Sequence, residues 1–100
     1  MSLTVINKDT TLQELRALKP LFEKQYGVTR IGIFGSMVRN EADDHSDLDI
    51  VVEMQPNLFN RAKLKSDLEL FFGKKVDVVR YWHGMNGFLK KRIDAEALYV

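Results

Sequence analysis

A domain of the α/β or α+β class, with helices laid against one small sheet, is predicted by three observations. Apolar residues recur at helical spacing between residues 10 and 26 and again between 57 and 72. Three short runs rich in Val, Ile and Phe stand between and after these segments, as β-strands require. Gly and Pro punctuate the junctions. Strands that alternate with helices bury their apolar sides by packing helices on a sheet. One hundred residues make a single domain, taken as 1–100.

The first helix is expected over residues 10–26. Thr11 and Glu14 fit a capping box, and Leu12, Leu15, Leu18, Phe22 and Tyr26 share one face. Gly27 is its stop, and Pro20 inside the run predicts a kink or a break into two short helices. Val28 to Phe34 reads as a strand ended by Gly35, and Ser36 is placed to cap a short helix reaching Asn40. Glu41 to Ser46 is a polar loop. Asp47 to Glu53 is the second strand, and its unbroken Ile50-Val51-Val52 run predicts burial on both faces. After Pro56 a helix over 57–72 is expected to turn Leu58, Leu64, Leu68 and Phe71 or Phe72 inward, closed by Gly73. Lys75 to Arg80 is the third strand, Tyr81 to Gly87 a loop, Phe88 to Ala95 a last helix, and 97–100 a short terminal strand.

Composition narrows the function classes. The chain is 45% hydrophobic and 29% charged, enough apolar mass for a core without staples. It has no cysteine, so neither a disulfide nor a thiolate zinc site. The start lacks a signal-peptide pattern, and no apolar run approaches the roughly 20 residues that span a membrane, so a cytoplasmic location without membrane contact is expected. The net charge of +1 is unevenly spread. Residues 1–60 carry six basic and nine acidic side chains, and residues 61–100 carry nine and five. Glu41 to Glu53 holds six acids and no Lys or Arg. Such a split can place metal carboxylates beside phosphate-holding groups, or form two solvated faces of opposite sign.

Three motifs carry chemistry. Asp47 and Asp49, at i and i+2 of a strand, project to the same side, while Leu48 and Ile50 anchor the other. Paired carboxylates suit Mg²⁺, which takes hard oxygen ligands and keeps sites for substrate phosphates. A calcium-binding EF-hand loop is excluded by the Ile-Val-Val that follows Asp49. Gly35-Ser36 follows a buried strand, so its backbone can approach a phosphate and the next amides with the Ser36 hydroxyl can hold it; read alone, it is better taken as an ordinary strand-to-helix turn with a serine cap. It is not a Walker A loop. Asp77 stands between valines, where a buried charge is costly without a purpose, although pairing with Lys74, Lys75 or Arg80 also accounts for it. If its strand lies beside that of Asp47, three carboxylates converge, and Asp77 can serve the metal that activates an attacking hydroxyl and accept its proton. Arg39 either touches a triphosphate or pairs with the acidic loop, and Ser46 can hold a phosphate oxygen or a carboxylate. His45 and His83 lack ligand spacing. Tyr81 and Trp82 read as packing residues, and Lys90-Lys91-Arg92 as a solvated helix face.

Taken together, Phe34-Gly35-Ser36, Asp47-Leu48-Asp49-Ile50 and Val76-Asp77-Val78 resemble the polymerase-β-like nucleotidyltransferase superfamily. The ten-residue gap between Ser36 and Asp47, with Arg39, Ser46 and the ending from Ile93 to Val100, looks like the minimal nucleotidyltransferases (MNT), the antitoxin halves of HEPN/MNT toxin–antitoxin pairs. The resemblance covers residues 12–100. It implies a small mixed sheet with helices packed on it, Asp47, Asp49 and Asp77 as catalytic residues holding two Mg²⁺ ions, and Gly35 and Ser36 on the triphosphate of ATP. It further implies AMP transfer (AMPylation) to a tyrosine of a HEPN ribonuclease toxin encoded next to this chain. Two other readings remain: an antitoxin that neutralises by binding alone, which needs none of the three aspartates, and a transferase for a small molecule or RNA, which usually carries an additional acceptor-binding domain. No direct nucleic-acid binding is expected.

Overall fold

Strand β2 (Leu48–Glu53) runs through the middle of the sheet, and its Leu48, Ile50, Val51 and Val52 are fully buried, as the unbroken apolar run predicts. The structure is a computed structural model describing residues 7–43 and 45–100; Asp44 of the expected polar loop therefore lies outside the described residues. Strand β1 (Arg30–Phe34) lies antiparallel on one side of β2 and β3 (Val76–Arg80) parallel on the other. The two-residue β4 (Leu98–Tyr99) pairs antiparallel with β1. The order β3-β2-β1-β4 is a mixed sheet.

Three helices cover it: α1 (Lys8–Tyr26), α2 (Leu58–Phe72) and α3 (Gly87–Glu96). Alternation along the strands separates two cores. Ile31, Ile33, Leu48, Ile50, Val52 and Val76 pack with Leu15 and Phe22 of α1 and with Leu64 and Leu68 of α2. On the opposite face Phe34 and Val51 pack with Ile93 of α3. Helix α2 is the crossover that a parallel β2–β3 pair demands.

Local chemistry moves several boundaries. Helix α1 starts two residues earlier than the sequence predicts, and its cap lies at Asn7. Asn7 caps it, accepting the Thr10 N–H at 2.9 Å, while the Thr10 hydroxyl accepts the Asn7 N–H at 3.2 Å. Thr11 is then an interior, buried residue, not a cap. Pro20 does not divide the helix. Its local cost of about 3 kcal/mol is offset because Leu15 before it and Phe22 and Tyr26 after it are held in the core. The expected helix after Gly35 is only a 3₁₀ turn, Gly35–Met37, with Ser36 inside it and no side-chain cap. Helix α2 is capped by Asn57, and Leu58, expected inward, is 78% exposed in its first turn; Phe72 packs on the core while Phe71 points outward.

Burial sets the mutational contrast. Ile50→Ala should cost about 3 kcal/mol in a denaturant titration, because the cavity opens in a layer closed on all sides. Leu58→Ser should change stability by no more than about 0.5 kcal/mol.

Candidate active site

The sheet register builds one row of side chains on the α3 face. Phe34 of β1 pairs with Asp49 of β2, and Asp49 pairs with Asp77 of β3. Asp47 lies just before β2, two residues from Asp49, and borders the same cleft as Asp77. The three predicted carboxylates therefore share one end of one sheet face. Side-chain positions are looser than the register: among the described residues no three His, Cys, Asp or Glu side chains approach closely enough to enclose an ion as they stand.

Asp77 differs from its sequence reading in one respect. Strand β3 is an edge strand, and Asp77 is exposed. The cost of a buried charge therefore does not explain it, and none of the anticipated pairings with Lys74, Lys75 or Arg80 forms among the described residues. The half-buried member is Asp49. Burial, above all, pushes its carboxyl above the usual carboxylate range; Asp77 and Asp47 push it further, while Arg92 and Arg39 pull against them. Among the described residues Asp49 has no hydrogen bond or salt bridge. A half-buried carboxylate facing two others, all hard oxygen donors, fits a divalent cation such as Mg²⁺.

Gly35 is required beside it. Its φ is +78°, and a Cβ there would overlap the Asp49 Oδ2 and stand 3.1 Å from its Cγ. The left-handed backbone favours glycine outright, and any side chain there would also push the Asp49 carboxylate from its position. Ser36 follows within the 3₁₀ turn and is half-buried.

One residue escaped sequence reasoning. Glu96, the last residue of α3, accepts the Gly35 N–H at 3.0 Å and two hydrogen bonds from the Arg39 guanidinium at 3.0 and 3.1 Å. Arg92 Nε stands 3.9 Å away. A helix-ending Glu after Asp94-Ala95 gives no sequence signal of this; only the fold brings it 61 residues back to Gly35. Arg39 also pairs with Glu41 of the acidic loop at 2.9 Å, the alternative the sequence leaves open. Two groups expected on a triphosphate thus hold a carboxylate, which shows that this turn accepts anions.

Ser46 closes a turn with Asp43, accepting its N–H at 3.0 Å and donating to its carboxylate at 3.2 Å. His45 and His83 are exposed. Tyr81 packs beside the Phe34–Val51–Ile93 cluster and donates to Asp94 at 2.7 Å, whereas Trp82 remains 44% exposed. Among the described residues no helix is long and apolar enough to cross a membrane.

Comparisons with known proteins bear on the family and the fold. The family model described as polymerase beta, nucleotidyltransferase, matches residues 16–99. The protein adenylyltransferase MntA of Thermococcus cleftensis is 35% identical over 96 residues, covering 90% of this chain and 96% of that protein. A Methanocaldococcus jannaschii protein, assigned the same activity provisionally by its name, is 42% identical over 87 residues, covering 85% and 91%. A solved structure described, also provisionally, as a minimal nucleotidyltransferase superposes with a TM-score of 0.77 at 30% identity, covering 96% and 98% of the two chains. The MNT antitoxin in complex with the tri-AMPylated HEPN toxin of Shewanella oneidensis shares the fold, with a TM-score of 0.65 at 17% identity over 92% of this chain and 70% of that one.

The electrostatics at Asp49 generate a signed prediction. Its raised pKa means that the folded state holds the proton more tightly than the unfolded chain, so this group's contribution to stability falls as pH rises from the ordinary value of 3.8 through the raised one. At pH 7 without divalent metal the ionised carboxylate is a burden. Asp49→Asn should therefore raise the melting temperature of the metal-free protein at pH 7, and by less at pH 4, in parallel thermal melts.

Proposed function

The chain belongs to the polymerase beta nucleotidyltransferase family and is a nucleotidyltransferase, and from that premise we propose that it transfers AMP from ATP to a tyrosine hydroxyl of a HEPN-type toxin, acting as the toxin's antitoxin. The observation that carries the reading is the row Phe34–Asp49–Asp77, with the Gly35 turn packed directly on Asp49. In support of the reading, the turn and the carboxylates of Asp49 and Asp77 lie side by side at one end of the sheet, with Asp47 two residues before Asp49.

Asp47, Asp49 and Asp77 would hold two Mg²⁺ ions, which when bound supply charge neutralisation at the attacking and leaving oxygens. The chain's own residues do the rest. The Gly35–Ser36 turn and Arg39 receive the β- and γ-phosphates by hydrogen bonds and charge. The acceptor oxygen forms a bond to the α-phosphorus, the bond from that phosphorus to the α–β bridging oxygen breaks, and pyrophosphate leaves with the electron pair. Asp77, exposed at the edge of the sheet, takes the acceptor's proton on a carboxylate oxygen. Catalysis is then positioning and charge compensation, with no covalent enzyme intermediate.

Glu96 must give way for that to happen, because it occupies the Gly35 amide and Arg39. Glu96→Gln keeps a hydrogen-bond acceptor and removes the charge. It should tighten ATP binding about threefold or more in calorimetric titration; weaker binding would make Glu96 a support of the site and not its competitor.

The decisive test is the intact mass of the toxin co-expressed with this chain or with Asp47→Asn. The intact chain should add one or more AMP masses, and the variant should lower the transfer rate more than about a hundredfold with its fold retained. No mass gain, with the toxin neutralised by both versions, would establish inhibition by binding alone.

A further inference from the structure

A cleft of about 470 Å³ opens beside the carboxylates on the side away from the Gly35 turn. It is bordered by Asp47, Asp77, Lys65, Glu69, Lys74 and Lys75. Glu69 is committed elsewhere, since its carboxylate accepts the Val76 N–H at 3.1 Å. Among the described residues none of the three lysines forms a salt bridge, and Lys74 acts on Asp43 only at longer range. Lys65 lies on α2, and Lys74 and Lys75 lead into β3, so two elements bring three ammonium groups to one wall.

The topology says which substrate meets that wall. In an in-line displacement the attacking and leaving oxygens stand on opposite sides of the phosphorus. The turn that receives the leaving pyrophosphate follows β1, and β1 and β3 flank β2 on opposite sides. The attacking hydroxyl therefore arrives from the β3 side, across this cleft. Once Asp47 and Asp77 are committed to the reaction, the lining that remains is Val76, three lysines and the single acid Glu69, a net positive wall.

We propose that this cleft is the acceptor subsite and that it selects a polypeptide segment whose acceptor hydroxyl is flanked by negative charge. The inference rests on the nucleotidyl-transfer reading and adds the chemistry of the acceptor to it. An acidic flank gains attraction from Lys65, Lys74 and Lys75, whereas a basic flank is repelled. The attraction is solvent-exposed, so it weakens as salt is raised.

The test uses three fluorescent peptides of equal length, each with one central tyrosine flanked by Glu, Gln or Lys, titrated against the full chain with Mg²⁺ and a non-hydrolysable ATP analogue. The Glu-flanked peptide should bind about tenfold tighter than the Gln-flanked one, and the Lys-flanked one weakest. The triple variant Lys65→Glu, Lys74→Glu, Lys75→Glu should invert that order while the affinity for the ATP analogue stays within about twofold. Lys75→Gln alone, a surface change, should narrow the preference without disturbing the fold. Equal binding of all three peptides, no binding of any, or a triple variant that loses the nucleotide instead of the preference would overturn the assignment. Failure of AMP transfer with the peptide order intact would count against the transfer reading alone, because the binding order is read without turnover.

Discussion

The pairing register of β2 with its two neighbours is the constraint on which everything else depends. Side chains alternate along a strand, so a slip of one residue in either pairing would move Asp49 into the apolar layer under α1 and α2 and turn Leu48 and Ile50 out of it towards the α3 face. The same register closes the hydrophobic layers and aligns Asp49 with Asp77. Core and site are therefore a single specification. The apolar partners of Leu48, Ile50 and Val52 under α1 and α2 hold the carboxylates in their row more firmly than any contact within the site does.

The site itself works against the fold. Asp49 is half-buried, faces two other acids and lacks a hydrogen-bond partner among the described residues. Gly35, pressed against it, contributes no side chain to the core and holds a left-handed backbone conformation. Glu96 relieves part of the tension by tying the end of α3 to the Gly35 amide and neutralising Arg39. The domain thus keeps the groups proposed to receive phosphate occupied by an internal anion, so that neither the Gly35 amide nor the Arg39 guanidinium is left unpaired.

Much of this was readable from the residues because it is local. The Ile50-Val51-Val52 run, the Gly27 and Gly73 stops and the alternation around Asp47 and Asp49 each express a short-range rule, and each reappears in the fold. The misreadings concern competition between local signals and packing. Asn7 outranked Thr11 as a cap, Pro20 was overridden by the core on both sides of it, and Leu58 lies in a first turn that the core does not reach. Glu96 was invisible because its role depends on a contact across most of the chain, and the exposure of Asp77 depends on β3 being at an edge, which pattern alone does not reveal.

That edge position has a consequence of its own. Val76, Val78 and Val79 present β-branched side chains on a strand with one unpaired flank, the arrangement that invites another chain to add a strand. Asp77 interrupts the run, and Lys75 and Arg80 bracket it. The residue read as the proton acceptor is therefore also a gatekeeper against self-association. Replacing it by an apolar residue would leave an unbroken apolar run on this open edge, so an apolar substitution tests edge exposure together with the proposed chemistry, whereas Asp77→Asn keeps the edge polar.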